Sequence, residues 1–404
     1  METKSSVLQQ AKAMKDWLVE VRRDFHRNPE LGMEEIRTQK KILQYLDEMG
    51  IETIAGMANT AVVGIIKGKK TGKTVALRAD MDALPMQDCK KVPYKSEVEG
   101  KMHACGHDAH VTILLGAAKL LKTMEHSIHG TIKLFFQPAE ETVGGAKPMI
   151  EAGVLEEPKV DAVLGLHVTP EMVTGQIGIK YGQMNASSDT IKINIYGAST
   201  HGAYPHGGID AIAVTAQVIT ALQTIVSRNI DPRDAAVVTI GKIQGGTLGN
   251  IIANKVEMVG TVRTLNPSIR NKVLNRLTEI VERVAEGLGG KGEVIREEGY
   301  TALINHDIIV DAVVQNGREL LGKKNVIMIK SPSLGVEDFG YFLERVPGAF
   351  YRLGCRNEEK GIIHHGHSNL FDVDEDCLPL GVALQVKNVL TLLGKEETDE
   401  GARK

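Results

Sequence analysis

The run Gly130-Thr131-Ile132-Lys133-Leu134-Phe135-Phe136-Gln137-Pro138 decides the fold class. It reads as a strand, a short β-branched and aromatic run closed by a proline that cannot continue a ladder. Residues 145–152 then read as a helix and residues 160–167 as a second strand, which ends on His167. Strand, helix, strand in that order predicts an α/β domain whose mostly parallel sheet carries helices on both faces.

Upstream, residues 61–66 and 74–77 are β-branched runs bounded by Gly and Lys clusters, which suits strands covered on both faces. Leu8, Ala11, Met14, Leu18, Val21 and Phe25 fall at helical spacing over residues 5–27, and Asn28-Pro29 stops that helix. Further helices are predicted over residues 36–49 and 111–121, the latter with Leu114, Leu115, Ala118 and Leu121 inward.

Downstream the pattern changes. Residues 191–196 alternate as a strand, 209–226 read as a helix, 236–243 and 256–263 as strands, 269–288 as a helix and 293–296 as a last strand. That order is the ferredoxin-like β-α-β-β-α-β. It predicts an α+β domain over residues 187–298, inserted between the two parts of an outer domain, residues 1–186 and 299–404. The second part carries helices over 307–321, 338–343 and 380–393, a strand over 349–353, and a charged, frayed end over 395–404.

A chain of 404 residues is long enough for two domains with cores of their own. With a net charge of −3 and 4% aromatic residues, it shows neither the basic footprint nor the stacking platforms of a nucleic-acid binder. The polar start Met1-Glu2-Thr3-Lys4-Ser5-Ser6 leads into an amphipathic pattern, with no signal peptide or membrane span, so a cytoplasmic protein is expected. Cys89, Cys105, Cys355 and Cys377 are too few and too scattered for a disulfide framework.

Met102-His103-Ala104-Cys105-Gly106-His107-Asp108-Ala109-His110 concentrates three imidazoles, a thiol and a carboxylate just before a helix. Other candidates lie at strand ends and loops: Glu141, His167, and a histidine of Ile362-Ile363-His364-His365-Gly366-His367-Ser368-Asn369. Imidazole, thiolate and carboxylate together suit a borderline transition metal (zinc, manganese, cobalt or nickel) and exclude an all-oxygen calcium or magnesium cage. Ligands in such number fit two metals sharing bridging groups. Glu140 beside Glu141 offers an uncoordinated carboxylate that can accept a proton from an activated water. Asp80 and Asp82 end a strand pointing to one side, although an Asp pair there also suits turn hydrogen bonds.

Phe25-His26-Arg27-Asn28-Pro29-Glu30-Leu31, Arg78-Ala79-Asp80-Met81-Asp82-Ala83-Leu84-Pro85, His103-Ala104-Cys105-Gly106-His107-Asp108-Ala109-His110, Gln137-Pro138-Ala139-Glu140-Glu141 and Gly165-Leu166-His167 resemble the successive signatures of the M20 metallopeptidase family. The likeness is to its amidohydrolase branch, which cleaves N-acyl amino acids: hippurate hydrolases, aminoacylases and auxin-conjugate hydrolases. The resemblance implies that Cys105, His107, Glu141, His167 and His367 bind two divalent transition-metal ions per subunit, with Glu140 as general base. It also implies that the inserted domain is a lid or dimerisation domain in a homodimer.

Within the inserted domain, His201 of Ser199-Thr200-His201-Gly202-Ala203-Tyr204-Pro205-His206 matches a histidine that stabilises the tetrahedral intermediate. Asn250, Arg263 and His206 are carried over as substrate-binding residues. Imidazolium, amide and guanidinium all donate to an oxyanion or carboxylate. His367-Ser368-Asn369 departs from the His-Ser-Pro or His-Asn-Pro of the branch. His367 keeps register with Phe371-Asp372 and Leu378-Pro379, and His364 and His365 are the alternatives. The expected activity is amide hydrolysis of small N-acyl amino acids, without nucleic acid or membrane. A dipeptidase or carboxypeptidase and a non-catalytic metal-binding protein are the rival readings.

Overall fold

The computed structural model describes residues 6–394, so the charged end over 395–404 lies outside the described residues. The chain divides into two compact units. The first comprises Met1–Gly182, Ile304–Lys330 and Tyr341–Lys404; the second comprises Gln183–Leu303 and Ser331–Gly340.

The first unit is built on a sheet of eight strands in the order Glu52–Ala55, Val62–Lys67, His129–Gln137, Lys70–Asp80, Ala162–Val173, Gly348–Arg356, Ile177–Ile179 and Val326–Met328. From His129–Gln137 to Gly348–Arg356 each neighbouring pair runs parallel, and the antiparallel pairs lie to either side. The parallel centre carries the ligand-bearing chain ends, because open α/β sheets present their sites at the carboxyl ends of such strands. Asp80 and Gln137 are paired at one such end, and His167 sits opposite Arg352.

Helix His107–Thr123 departs from the amphipathic reading, being buried along nearly its whole length. Helices Lys15–Arg27 and Cys377–Leu393 pack against it, the latter also lying on the strands of the sheet, with Leu18 and Val382 closing on Gly116. A Cβ on Gly116 would meet those side chains at 2.7 and 2.6 Å. The predicted N-terminal helix breaks at Met14 into Val7–Ala13 and Lys15–Arg27. In the second piece Leu18, Val21, Arg22 and Phe25 form the buried stripe. Strands Glu52–Ala55, Ile177–Ile179 and Val326–Met328 went unpredicted because runs of three or four residues carry too little periodicity.

The second unit has a four-stranded antiparallel sheet in the order Lys291–Glu298, Ser187–Tyr196, Lys255–Thr264, Ala236–Gly245. Ile191, Ile193 and Ile195 alternate inward, as a half-buried strand requires. They share a core with Val214, Val218 and Leu222 of helix Ala211–Thr224 and with Val273, Leu277 and Val281 of helix Pro267–Gly287. The stretch Ala211–Asn229 is long and apolar enough by composition to cross a membrane, and here it packs one side, with Val214, Val218, Leu222 and Ile225, into the core of this unit.

Residues 331–340, placed by sequence with the outer domain, group with the second unit. The reason is backbone pairing: Ala186 N–H donates to Ser333 C=O at 3.1 Å, and Ser333 N–H to Met184 C=O at 2.9 Å. The helix expected over 338–343 is correspondingly short, Gly340–Leu343.

Candidate metal centre

Helix His107–Thr123 starts from Gly106, whose φ of +88° is left-handed. A Cβ there would meet Val168 Cγ2 at 2.3 Å, so glycine alone lets the helix start press against the strand that carries His167. Cys105, His107 and His167 come together as a result, with one ligand atom of each within 4.8 Å of the others. Cys105 Sγ lies 3.3 Å from His167 Nε2.

Two further groups share members with the first. Cys105, Glu141 and His367 lie within the same distance of one another, and so do His107, Glu140 and Glu141. His367 Nε2 is 3.1 Å from Glu141 Oε1. His365 instead faces Glu171 at 3.3 Å, so between the two it is His367, against Glu141, that reaches the cluster. The His367 backbone has a φ of +62° and donates its N–H to Ala104 C=O at 2.8 Å, which ties this loop to the Cys105 loop. The five expected ligands and Glu140 therefore converge in the first unit.

The donors fit an ion. His107 is fully buried, with Nδ1 3.1 Å from Asp82 Oδ1. Its Nε2 has no hydrogen-bond partner among the described residues and is 3.7 Å from Asp80 Oδ1. A carboxylate on one ring nitrogen with the other left bare is the arrangement that presents a metal ligand. Burial disfavours the His107 imidazolium, but the Asp80 charge and the Asp82 hydrogen bond outweigh it and hold its pKa well above the ordinary value. Burial pushes the Cys105 thiol well up, and the Glu141 charge adds to this. Glu141 is held below the usual carboxylate range despite burial, chiefly by its hydrogen bond to His367.

The remaining groups of the opening stretch have other tasks. His110 Nδ1 is 2.5 Å from Asp80 Oδ1, and its Nε2 accepts the Val168 N–H at 2.8 Å, so both nitrogens are used. Asp108 accepts from Arg22 Nε at 2.8 Å and lies 2.7 Å from His26 Nδ1. His103 is buried, and burial pushes its pKa down to about 3. Neither of its ring nitrogens has a hydrogen-bond partner among the described residues.

Sequence reasoning noticed Asp82 but not its task. Its Oδ2 accepts the Glu141 backbone N–H at 2.9 Å while Oδ1 faces His107. The signal was the carboxylate pair at a strand end. Asp80 and Asp82 both lie against His107, as a same-side pair should.

In the second unit, Gly202 N–H donates to Asn250 C=O at 2.8 Å, and His201 forms a bridge with Ile251. His201 Nδ1 accepts the Ala203 N–H at 3.0 Å, and its ring is exposed. His206 sits in the turn Pro205–Gly207. Arg263, on strand Lys255–Thr264, donates to Thr261 Oγ1 and to Val262 C=O. His201 and Asn250 are thus neighbours through the backbone.

Residues 76–391 match the family model described as Peptidase family M20/M25/M40. The chain belongs to that family. Among its M20 relatives, thermostable carboxypeptidase 2 of Saccharolobus solfataricus is 43% identical over 92% of this chain and 94% of its own length. The N-acetyl-L-cysteine deacetylase of Bacillus subtilis is 41% identical over 89% of this chain and 84% of its own, which supports the amidohydrolase branch. The crystal structure of the Bacillus subtilis protein YXEP, described as a dinuclear metal-binding peptidase of the M20 family, superposes with a TM-score of 0.81. It is 34% identical and covers 95% of this chain and 99% of its own.

Proposed function

We propose that this M20 protein hydrolyses the amide bond of N-acyl amino acids, releasing a carboxylic acid and a free amino acid. The observation that carries the reading is the pair Glu140 and Glu141 beside His107, one carboxylate next to the other within ligand distance of an imidazole. Cys105, His107, Glu141, His167 and His367 would hold two divalent metals, and zinc, manganese, cobalt and nickel all suit this donor set. Such a pair supplies a water of lowered pKa and polarises the amide carbonyl.

Glu140, 7% exposed, then takes the proton of the attacking water and hands it to the leaving nitrogen. Glu141 and the imidazoles keep the site geometry, and Asp82 holds His107 and Glu141 in place. His201 remains the proposed oxyanion donor, and Asn250, Arg263 and His206 the proposed contacts to the substrate carboxylate, on the family resemblance and on their donor chemistry. A cytoplasmic homodimer is part of the same proposal, and sedimentation of the purified chain tests the dimer.

A second reading, a carboxypeptidase, has the support of the relative 43% identical to this chain. A panel of N-acetyl, N-benzoyl and longer acyl amino acids, run beside dipeptides with a free amine on protein purified without chelator, separates the two. Turnover of the acyl amino acids is expected. Turnover of dipeptides alone favours the carboxypeptidase, and no turnover with metal bound favours a non-catalytic binder.

A further inference from the structure

Glu35 stands at the N-cap of helix Ile36–Glu48, yet its side chain makes no cap hydrogen bond there. Glu30 does that work: its carboxylate accepts the N–H groups of Arg37 at 2.9 Å and Thr38 at 2.8 Å. The Glu35 carboxylate is turned elsewhere, fully buried, with Oε2 accepting the Thr60 hydroxyl at 2.6 Å and Oε1 accepting the Ala139 N–H at 2.9 Å. No cation pairs with it among the described residues, and burial lifts its carboxyl above the ordinary value. A buried carboxylate with neutral donors and no counter-ion is a costly way to build a core.

What it holds is the residue before the carboxylate pair. Ala139 has a φ of +58°, left-handed for a residue with a Cβ. Such a conformation persists only where the surroundings over-determine it. Ala139 C=O accepts the Gly144 N–H at 2.9 Å, closing the turn, and Gly32 approaches so nearly that a Cβ there would meet Thr142 Oγ1 at 2.4 Å. One residue beyond Glu140, the Glu141 N–H is held by Asp82. Two buried carboxylates therefore grip the backbone on either side of Glu140.

We propose that Glu35 is a positioning residue, which sets the Ala139–Glu140–Glu141 turn so that one carboxylate is aimed at the metals and its neighbour at the reacting proton. The assignment rests on the reading that Glu140 and Glu141 carry the reaction. It adds a residue remote in sequence that touches neither substrate nor ion. A displacement of about 1 Å in such a turn is enough to cost on the order of 10²-fold in rate.

The test compares Glu35→Ala, Glu35→Gln and the double variant Glu35→Ala with Ala139→Gly, each by steady-state kinetics on the acyl amino acid that wild type turns over and by Mn²⁺ titration of the chelated protein. Glu35→Ala should lower kcat about tenfold or more with KM within about threefold, and weaken Mn²⁺ binding about tenfold, the lower end of the loss when a supporting partner is removed. Glu35→Gln keeps an acceptor for the Ala139 N–H without the buried charge and should return both quantities to within about threefold of wild type. Glycine at 139 takes the left-handed conformation freely and should recover part of the loss.

If Glu35→Ala does not fold, Thr60→Val, which removes the hydroxyl orienting Glu35, should lower kcat about threefold or more, by the loss of one hydrogen bond. A folded Glu35→Ala protein with wild-type kcat and Mn²⁺ affinity overturns the proposal, even if it melts lower, and so does Glu35→Gln as impaired as Glu35→Ala. Should wild type hydrolyse none of the panel, the functional reading fails by itself, and the Mn²⁺ titration alone still decides the role of Glu35.

Discussion

Asp82 accepts the backbone N–H of Glu141 at 2.9 Å. Its other oxygen lies 3.1 Å from His107 Nδ1, so a single buried carboxylate fixes two of the expected ligands, one through a ring and one through the main chain. Asparagine at this position would present an amide N–H to His107 Nδ1 and favour the tautomer whose proton sits on Nε2, the nitrogen meant for the metal. Asp82→Asn should therefore weaken metal binding about 10–100-fold while the fold survives. Titration of the chelated variant with Mn²⁺ or Zn²⁺, beside its circular dichroism, checks this, and unchanged affinity would refute the assigned task of Asp82.

Metal removal should follow the donor chemistry. With a thiol and three imidazoles among the five proposed ligands, a chelated protein should lose activity and regain it with zinc, manganese, cobalt or nickel. Calcium and magnesium, which prefer all-oxygen shells, should not restore it. Activity measured across such an ion series tests this, and full recovery with Mg²⁺ alone would speak against a coordinating role for Cys105.

A prediction about pH comes from the buried ion network that anchors the start of helix His107–Thr123. Arg22, fully buried, donates to Asp108 and Asp372 at 2.8 Å each, and Tyr94 donates to Asp372 at 2.8 Å. Burial alone would raise the Asp372 pKa, but Arg22 and Lys90 outweigh it and hold it below the ordinary value. A carboxyl depressed on folding stabilises above its unfolded pKa of about 4, and that contribution drains away as pH falls through the lower folded value. Urea midpoints of the metal-free protein should drop from about pH 4 downward, and Asp372→Asn should be less stable at pH 7 with a flatter acid limb. Equal slopes for the two proteins would contradict the pairing.

The parts of this molecule that could be read from sequence were those with local causes. Strand His129–Gln137 and helix Asp307–Leu321 announced themselves through apolar runs and periodicity. The ferredoxin-like order of the second unit followed from element order alone. Cys105, His107, Glu141, His167 and His367 could be collected because ligand types stood at strand ends and loops, and the structure brings all five together with Glu140. Hidden from sequence were relations between distant backbone and side chain. Nothing local marks Glu35 as the acceptor for Ala139 N–H, or Asp82 as the acceptor for Glu141 N–H. The passage of residues 331–340 into the second unit was equally invisible, being fixed by pairing with Met184 and Ala186.

The central claim is that Glu140 moves the proton while Glu141 beside it serves the metals. The direct measurement is turnover of an acyl amino acid by Glu140→Ala protein whose metal content has been shown equal to wild type. Loss of the proton-transfer group should lower kcat about 10²-fold or more with metal still bound. Full turnover by that protein would contradict the mechanism.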